Sequence, residues 1–304
     1  MNGAVTIRPA RMDEVDAAAS LLNEHSRRLH GVDDQSASEL RQYWESPDVD
    51  FERDILLAER ADGSLSGYAD LGVSGEHVWF DLRGLEPEPL RALLGAIETR
   101  AAEKKPDAGL CGFTSEADDV VRGVYEQSGY RVIRHGYRME ISLDGGARAP
   151  APEWPEGFTV RTMRVGEEER VYEAQMTSFA DTWMFARETF DVWSHWFLKD
   201  TAFDPSLWFL AGSGDELAGI AITRESENEP GLAWVRILGV LPKFRQRGLA
   251  TALLRQTFDE CASRGLERVG LGVDAENPTG AVRVYERAGM HVARTNLILE
   301  KVQG

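Results

Sequence analysis

The sequence contains little cysteine and no histidine pair at a metal-binding spacing. Only two cysteines, Cys111 and Cys261, occur among 304 residues, which is too few for a disulfide framework or a four-cysteine zinc site. None of the six histidines lies in an HxH or HxxxH arrangement, a spacing that can place two imidazoles on one metal ion. We therefore expect no disulfide, no metal site and no metal cofactor.

The sequence also lacks long hydrophobic runs and an excess of positive charge. No apolar stretch reaches the ~18 residues that a membrane-spanning helix needs, and the N-terminal segment lacks the hydrophobic region of a signal peptide. Asp and Glu outnumber Lys and Arg by 51 to 34, which gives a net charge of −17, and a field of this sign repels nucleic acid and anionic lipid. We expect a cytoplasmic protein that binds neither nucleic acid nor a membrane, and an amine-bearing small molecule suits its charge better.

The chain carries one pattern twice, on either side of a segment rich in proline, glycine and alanine. Tyr125 and Gly129 of the first half recur as Tyr285 and Gly289 of the second, both 160 positions later. A repeat of this length indicates a duplicated domain rather than a solenoid, and the proline-rich segment is typical of a linker. The predicted boundaries are 1–143 for the first domain, 144–157 for the linker and 158–304 for the second domain.

Strands and helices follow one another in the second half in a mixed α/β order. Apolar and β-branched runs predict strands over Ala218–Thr223, Ala233–Val240 and Val269–Val273. Between the last two, apolar residues at helical spacing predict a helix that begins after Gly248 and ends at Gly265. The first half has the same coarse order of elements.

A short helix and a final strand complete this pattern. The helix carries Tyr285 on its apolar side, and Asn277 precedes it as the predicted N-cap. The last apolar run, Asn296–Val302, is predicted to close the sheet of the second half. The predicted fold is therefore α/β, with two tandem domains that each have a mixed, mostly antiparallel central sheet flanked by helices.

The segment between the strand that ends at Val240 and the helix that follows Gly248 has the composition of an anion-binding loop. The first N–H groups of a helix have no intrahelical partners, and the helix dipole adds positive potential there. Gly248 allows the backbone to approach an anion without interference from a Cβ atom, and Lys243, Arg245 and Arg247 add positive charge. We interpret this loop as a pyrophosphate-binding site.

With Arg245, Gly248 and Ala250 in an Arg-x-x-Gly-x-Ala loop, followed by Asn277 and Tyr285, the second half resembles a GCN5-related N-acetyltransferase (GNAT) domain. The whole chain is similar to tandem acetyltransferases of the mycothiol synthase kind, whose first domain is degenerate. The resemblance implies acetyl-CoA as co-substrate, its pantetheine held by the strand and its pyrophosphate by the loop. The co-substrate residues implied are Leu238, Gly239, Val240, Arg245, Gln246, Arg247, Gly248, Leu249, Ala250, Thr251 and Asn277.

The matching segment of the first half, residues 79–89, departs from this pattern. Asp81, Glu86 and Glu88 would repel a pyrophosphate, and its two prolines remove N–H donors. The offset between the two halves also grows from 152 to 160 positions across this region, so the first half is shorter here. We expect that the first domain has lost acyl-CoA binding and serves structure or acceptor binding.

The catalytic groups are only partly identified. Tyr285 matches the family's general-acid tyrosine, which implies that it protonates the departing CoA thiolate, while core packing is the alternative role for a tyrosine on an apolar stripe. Trp234 stands where mycothiol synthase-like proteins carry a glutamate, so no general base is assigned. Asp181, Trp183 and Trp234 are the predicted acceptor contacts, and the first two lie in an aromatic-rich stretch that is predicted to be helical. An exposed acid and core tryptophans are the alternative interpretations.

The resemblance implies an N-acyltransferase that passes an acetyl group from acetyl-CoA directly to an amine of a small molecule, and we expect the acceptor in the cleft between the domains. Two alternatives remain open: a non-catalytic acyl-CoA-binding sensor or scaffold, and a mycothiol synthase. The acceptor, the preferred acyl chain and the oligomeric state are not defined by the sequence.

Overall fold

The computed structural model describes residues 5–143, 151–277 and 279–301, which form two compact units. Unit 1 contains the described residues up to His135 together with those from Thr295 onward, and unit 2 contains those from Gly136 to Arg294. Residues 144–150 of the predicted linker lie outside the described residues. No helix in the described ranges is long and apolar enough to cross a membrane.

The described residues of the first half form six strands and five α-helices. In chain order they are β1 (Thr6–Pro9), α1 (Val15–His30), α2 (Ala37–Trp44), α3 (Phe51–Asp54), β2 (Ile55–Glu59), β3 (Leu65–Ser74), β4 (His77–Gly84), α4 (Pro87–Lys104), β5 (Gly109–Ser115), α5 (Asp119–Gln127) and β6 (Tyr130–Ser142).

The second half repeats this order among its described residues. Its elements are β7 (Thr159–Thr162), α6 (Glu168–Phe179), α7 (Phe190–Leu198), β8 (Trp208–Ser213), β9 (Glu216–Glu225), β10 (Leu232–Val240), α8 (Leu249–Ser263), β11 (Arg268–Asp274), α9 (Ala281–Arg287) and β12 (His291–Lys301).

Both units arrange their strands in the same way. The order is β1-β2-β3-β4-β5-β12 in unit 1 and β7-β8-β9-β10-β11-β6 in unit 2. In each unit the first four strands are antiparallel neighbours, the fourth and fifth are parallel, and the fifth and sixth are antiparallel. The predicted mixed, mostly antiparallel sheet flanked by helices is therefore confirmed.

The sixth strand of each unit comes from the other half of the sequence. Asn296–Glu300 of β12 pair with β5, and Leu297 and Leu299 are buried in the core of unit 1. Gly136–Ser142 of β6 pair with β11 of unit 2. The expectation that Asn296–Val302 closes the sheet of the second half is wrong, because an alternating apolar pattern identifies a strand but not its partner.

The predicted domain boundaries follow the sequence repeat, whereas the compact units exchange these strands. The helix that follows the predicted anion-binding loop, α8, has the predicted limits. α8 begins after Gly248, and Gly265, with φ of +78°, follows its end, in the left-handed conformation that glycine commonly adopts after a helix. Its apolar stripe, including Leu254 and Phe258, is buried in the core of unit 2.

Candidate active site

Strand β10 contains a bulge that separates it from its parallel neighbour. Leu232–Val235 pair with Arg268–Leu271 of β11, whereas Ile237–Val240 pair with β9 on the other side. The register against β9 shifts at Arg236, which is the extra residue of a β-bulge and bends the strand. Within the described residues no pairing joins the second part of β10 to β11, so a gap opens between the two strands.

Backbone polar groups of β10 face this gap. The Leu241 N–H donates to the carbonyl of Ala218 in β9 over 2.9 Å, and consecutive residues of a strand direct their backbone groups to opposite sides. The backbone groups of Leu238 and Val240 therefore point away from β9 and toward the gap. An extended ligand in the gap could form hydrogen bonds with these backbone groups of β10, in the place that β11 would occupy in a fully paired sheet.

The loop from Leu241 to Gly248 contains two residues in the left-handed region. Gln246 has φ of +62° and Gly248 has φ of +85°, and such reversals turn N–H groups toward a common point. Helix α8 begins at Leu249 without a side-chain cap, so the N–H groups of its first turn remain available to a ligand. The loop has the geometry of an anion-binding nest at the positive end of a helix dipole.

The gap and the loop border one pocket of about 790 Å³ in unit 2. All of the predicted co-substrate residues except Arg247 line it, together with the predicted catalytic Tyr285. Its charged lining residues are Asp181, Arg245, Arg283 and Arg287, which leave a net charge of +2. In a chain with a net charge of −17, this is a local site that attracts anions.

Arg245 and Asp181 are partners within the pocket wall. The two side chains form a bidentate ion pair, with Nη2 of Arg245 2.9 Å from Oδ1 of Asp181. The same Nη2 donates to the Ser178 carbonyl at 2.9 Å, and Nε donates to the Val240 carbonyl at 3.2 Å. Arg245 therefore fixes the end of α6 to the loop, and its hydrogen bonds lower the pKa of Asp181.

The other two basic residues of the loop lie against Phe244. Lys243 pairs with Glu216, and its Nζ lies 4.9 Å from the centre of the Phe244 ring. The guanidinium of Arg247 lies 5.7 Å from the same ring. Arg247 is thus the predicted co-substrate residue that the structure places outside the pocket lining.

Helix α9 begins later than the sequence predicted. Its N-cap is Gly280, with φ of +74°, so the prediction of Asn277 as the N-cap is wrong. The Asn277 side chain instead accepts hydrogen bonds from the Thr279 N–H at 2.9 Å and from its hydroxyl at 2.6 Å. In this Asx turn the side-chain oxygen of Asn277 has its hydrogen-bond partners before the helix starts. Asn277 and Thr279 both line the pocket.

Tyr285 lies on α9 and is 9% exposed at the pocket wall. Burial raises its pKa to about 12, so the phenol keeps its proton at neutral pH. A proton donor at this place is chemically suited to a thiolate that leaves from the gap. The structure therefore places the predicted general acid in the same pocket as the predicted co-substrate residues.

The predicted acceptor contacts do not gather at one place. Asp181 lines the pocket, but its carboxylate is held by Arg245, whereas Trp183 and Trp234 are half-buried and do not line this pocket. Asp181 and Trp183 follow the end of α6 in a turn, not in the helical stretch that the sequence predicted. Among the described residues that line the pocket, Asp181 is the only carboxylate.

Trp234 lies on the paired part of β10, just before the bulge. A Cβ atom on Gly270 of β11 would lie 2.8 Å from its ring, so the indole covers this glycine. The guanidinium of Arg138 lies 5.1 Å from the centre of the Trp234 ring. Arg138 also forms ion pairs with Glu140 and Glu229. The position at which the resemblance implies a glutamate is here part of an aromatic and ionic cluster.

Arg236 holds the bulge in place. Its Nη1 donates to the Trp196 carbonyl at 2.8 Å and to the buried carboxylate of Asp200 at 2.9 Å, and its guanidinium lies 4.0 Å from the centre of the Phe197 ring. Arg224 pairs with the same Asp200 at 3.1 Å. Arg236 is the only charged residue of β10, and these contacts tie it to α7.

Several pocket residues were missed by sequence reasoning. Ser178 at the end of α6 approaches β10 because Gly239 lacks a side chain, since a Cβ atom there would lie 2.3 Å from the serine Oγ. Arg283 and Arg287 lie one turn apart on α9 and are exposed beside the pocket. Their spacing of four residues was a usable signal, because it places both on one side of a helix.

The segment of unit 1 that matches the loop is not a loop. Strand β4 continues to Gly84, and α4 begins at Pro87 with Glu86 as its N-cap. Asp81 therefore belongs to the strand, where it pairs with Arg83 at 2.9 Å. The change in offset between the two halves indicated a shorter segment here, and the structure shows that only Leu85 and Glu86 separate β4 from α4.

Comparison with known proteins matches these features. A model described as the acetyltransferase (GNAT) family matches residues 168–290. A mycothiol acetyltransferase from Streptomyces bingchenggensis is 31% identical over 259 residues, which cover 81% of this chain and 80% of that protein.

Solved structures extend the match to nearly the whole chain. A GCN5-related N-acetyltransferase from Sphaerobacter thermophilus is 29% identical, with a TM-score of 0.75 over 98% of this chain and 95% of that one. A tandem GNAT protein from the clavulanic acid biosynthesis pathway shares the fold at 14% identity, with a TM-score of 0.75 over 99% and 100% of the two chains. The chain belongs to the GNAT acetyltransferase family and is an acyltransferase enzyme that uses an acyl-CoA co-substrate.

Proposed function

We propose that the enzyme transfers an acetyl group from acetyl-CoA to an amine of a small molecule, by direct attack in a ternary complex. The observation that carries the proposal is the pocket of unit 2, where a strand gap, an uncapped helix start and a protonated tyrosine meet. Acetyl-CoA has an extended amide-bearing arm, a pyrophosphate and a thioester. Each of these parts has a chemically matched neighbour in the pocket.

The donor binds along β10. The amide groups of the pantetheine arm bond the backbone of Leu238 and Val240, which faces the gap. The pyrophosphate accepts from the N–H groups at the start of α8, next to Gly248. Arg283 and Arg287 lie at the rim and supply positive charge for the remaining phosphate.

Tyr285 acts when the thioester breaks. The acceptor nitrogen forms a bond to the acetyl carbonyl carbon, the carbon–sulfur bond breaks, and the electron pair leaves on the CoA sulfur. The Tyr285 O–H passes its proton to that sulfur, which lowers the barrier for its departure. The attacking nitrogen loses a proton to solvent, and the Tyr285 phenolate regains one from solvent. Because burial raises the pKa of Tyr285 to about 12, the group is in its donating form over the whole neutral range.

The acceptor reaches the site as a free amine. The single carboxylate among the described pocket residues, Asp181, is bound by Arg245, which lowers its pKa. A carboxylate with a lowered pKa is a weak base toward an ammonium group with a pKa near ~10. The ammonium proton therefore passes to solvent rather than to a pocket carboxylate.

A mycothiol acetyltransferase activity is the second candidate. The identity of 31% over four fifths of both chains favours it. Trp234 weighs against it, because this side chain stands where that group carries a glutamate.

An acceptor screen tests the proposed function. The full chain is incubated with acetyl-CoA and a panel of primary amines, including the acceptor of mycothiol acetyltransferases, and release of the CoA thiol is measured against reactions without acceptor. We expect turnover with at least one amine. Binding of acetyl-CoA with neither transfer nor hydrolysis would favour a non-catalytic sensor, and selective turnover of the mycothiol precursor would establish the second candidate.

A further inference from the structure

Three side chains from three neighbouring strands of unit 1 meet on one face of its sheet. Glu300 of β12 lies directly opposite Cys111 of β5, and His77 of β4 lies opposite Gly109 of β5. Directly paired residues share a face, and residues two positions apart on one strand do so as well. The side chains of His77, Cys111 and Glu300 therefore all point the same way.

The donor atoms of these side chains are close to one another. His77 Nε2 lies 3.6 Å from Glu300 Oε1, and these two atoms and Cys111 Sγ all lie within 4.8 Å of one another. A tetrahedral zinc ion holds nitrogen, oxygen and sulfur donors at roughly 2.0–2.3 Å, which places them about 3.5 Å apart. A side-chain shift of about 1 Å closes the cluster to this geometry.

Gly109 leaves room for the side chains of His77 and Glu300 on this face of the sheet. A Cβ atom at this position would lie 2.5 Å from His77 Cδ2 and 3.3 Å from Glu300 Oε1. Cys111 is buried, while the side chains of His77 and Glu300 remain 22% and 37% exposed. An ion can enter from solvent, and a water molecule can occupy the position that no protein ligand fills.

We propose that His77, Cys111 and Glu300 form a binding site for Zn²⁺ or a divalent transition metal of the same class, with three protein ligands and one open position. Imidazole, thiolate and carboxylate are the donors that zinc takes in proteins, whereas Ca²⁺ and Mg²⁺ select oxygen. On binding, the Cys111 thiol releases its proton to solvent and its sulfur donates an electron pair to the metal. The ion would link β4, β5 and β12, so it would tie the returning end of the chain into unit 1.

The spacing rule that predicted no metal site cannot detect this cluster. Cys111 lies 34 positions after His77 and 189 positions before Glu300. The donors meet because β12 pairs with β5 of unit 1. The sequence had instead predicted that this last strand closes the sheet of the second half. The site is independent of the acyltransferase pocket, since all three ligands belong to unit 1.

Metal titration of the untagged full chain tests the proposal. Co²⁺ is added to the apo protein, and the near-ultraviolet absorption is followed for the charge-transfer band of a cobalt–thiolate bond, while Zn²⁺ is titrated by calorimetry in parallel. We expect one ion per chain and a thiolate band with cobalt. Cys111→Ser should abolish the band, and Glu300→Gln should weaken Zn²⁺ binding at least ~100-fold, since loss of even an outer partner costs 10–100-fold.

Matched variants separate ligation from general damage to the fold. Cys261→Ser removes the other buried cysteine, in α8 of unit 2, and should leave the cobalt band and the affinity unchanged. His77→Ala changes a half-buried residue and should weaken binding while the circular dichroism spectrum stays that of the parent. Absence of a thiolate band in the parent protein, or equal Zn²⁺ affinity in the parent and in His77→Ala, would overturn the proposal.

Discussion

Units 1 and 2 share a strand order but differ at the connection that follows their fourth strand. In unit 2, β10 has a bulge at Arg236, and residues 241–248 lead to α8. In unit 1, β4 pairs with β3 without a register shift, and only Leu85 and Glu86 separate β4 from α4. The comparison teaches that the shared strand order alone does not produce an anion-binding nest, because the bulge and the longer loop of unit 2 create the gap and the nest.

The matching tyrosines differ in the same way. Tyr125 of unit 1 is fully buried, and a Cβ atom on Gly112 would lie 2.3 Å from its Cζ atom. Tyr285 of unit 2 reaches the pocket, and the nearest atom to a Cβ on the matching Gly272 is 3.9 Å away, on Trp234. One tyrosine fills space against its strand and the other lines a cavity, so a shared position in the repeat does not imply a shared role.

The helix starts complete the contrast. Helix α4 begins with Pro87 after Glu86 and carries Glu88 in its first turn, so this start offers fewer N–H donors and two carboxylates. Helix α8 begins after Gly248 without an acidic residue in its first turn. An anion is therefore attracted to one helix start and repelled by the other.

The largest expected effect is the loss of donor binding in Gly248→Asp. The change forces a side chain into a left-handed position and places a carboxylate in the nest, so the Kd for acetyl-CoA should rise at least ~100-fold, or about 2.7 kcal/mol. Gly265→Asp is the matched control, because Gly265 is also left-handed but lies at the other end of α8. Calorimetry that gives the same Kd for both variants would contradict the assignment of the loop.

Replacement of the two tyrosines separates their roles. Tyr285→Phe should lower kcat ~100-fold, which is within the range for loss of a general acid, with little change in the Kd for acetyl-CoA. Tyr125→Phe should leave kcat unchanged. Steady-state kinetics with any accepted amine measures both effects. Equal kcat values for the parent and Tyr285→Phe would mean that Tyr285 only packs against its neighbours and does not act as a general acid.

The rate should rise with pH until the acceptor loses its proton. With no free carboxylate base among the described pocket residues, kcat/KM should increase about tenfold per pH unit below the amine pKa, near ~10 for an alkylamine. Because the pKa of Tyr285 is about 12, its deprotonation should not reduce the rate below pH 10. A plateau that begins near neutrality would indicate an enzymatic base.

The glycines beneath the tyrosines should differ in their tolerance of alanine. Gly112→Ala places a methyl group in the Tyr125 ring, and such overpacking destabilises a core by about 1–3 kcal/mol. Gly272→Ala meets no atom closer than 3.9 Å and should cost less than that. Urea unfolding of the two variants measures the difference, and equal losses would contradict the contrast between a filled and an open site.

The smallest expected effect is a gain in stability. The Tyr125 hydroxyl is buried without a hydrogen-bond partner among the described residues, and an unsatisfied buried polar group is unfavourable. Tyr125→Phe should therefore raise the free energy of unfolding by about 1 kcal/mol. A loss of stability in chemical denaturation would mean that this hydroxyl has a partner and that unit 1 retains a polar site there.

Local pattern predicted the elements that carry chemistry. The strand before the loop, the helix after Gly248 and the position of Tyr285 follow from periodicity and residue type, because these features are local in sequence. The ion pair between Arg245 and Asp181 and the pairing of β12 with β5 depend on which surfaces meet. Asn277 failed as an N-cap because an Asx turn gave its side chain a closer partner.

The central claim is that one unit binds the donor and the other does not. Calorimetric titration of the full chain with acetyl-CoA, with the number of sites as the fitted quantity, tests it most directly. We expect one site per chain, and no measurable site in Gly248→Asp. Two sites per chain, or one site that survives Gly248→Asp, would contradict it.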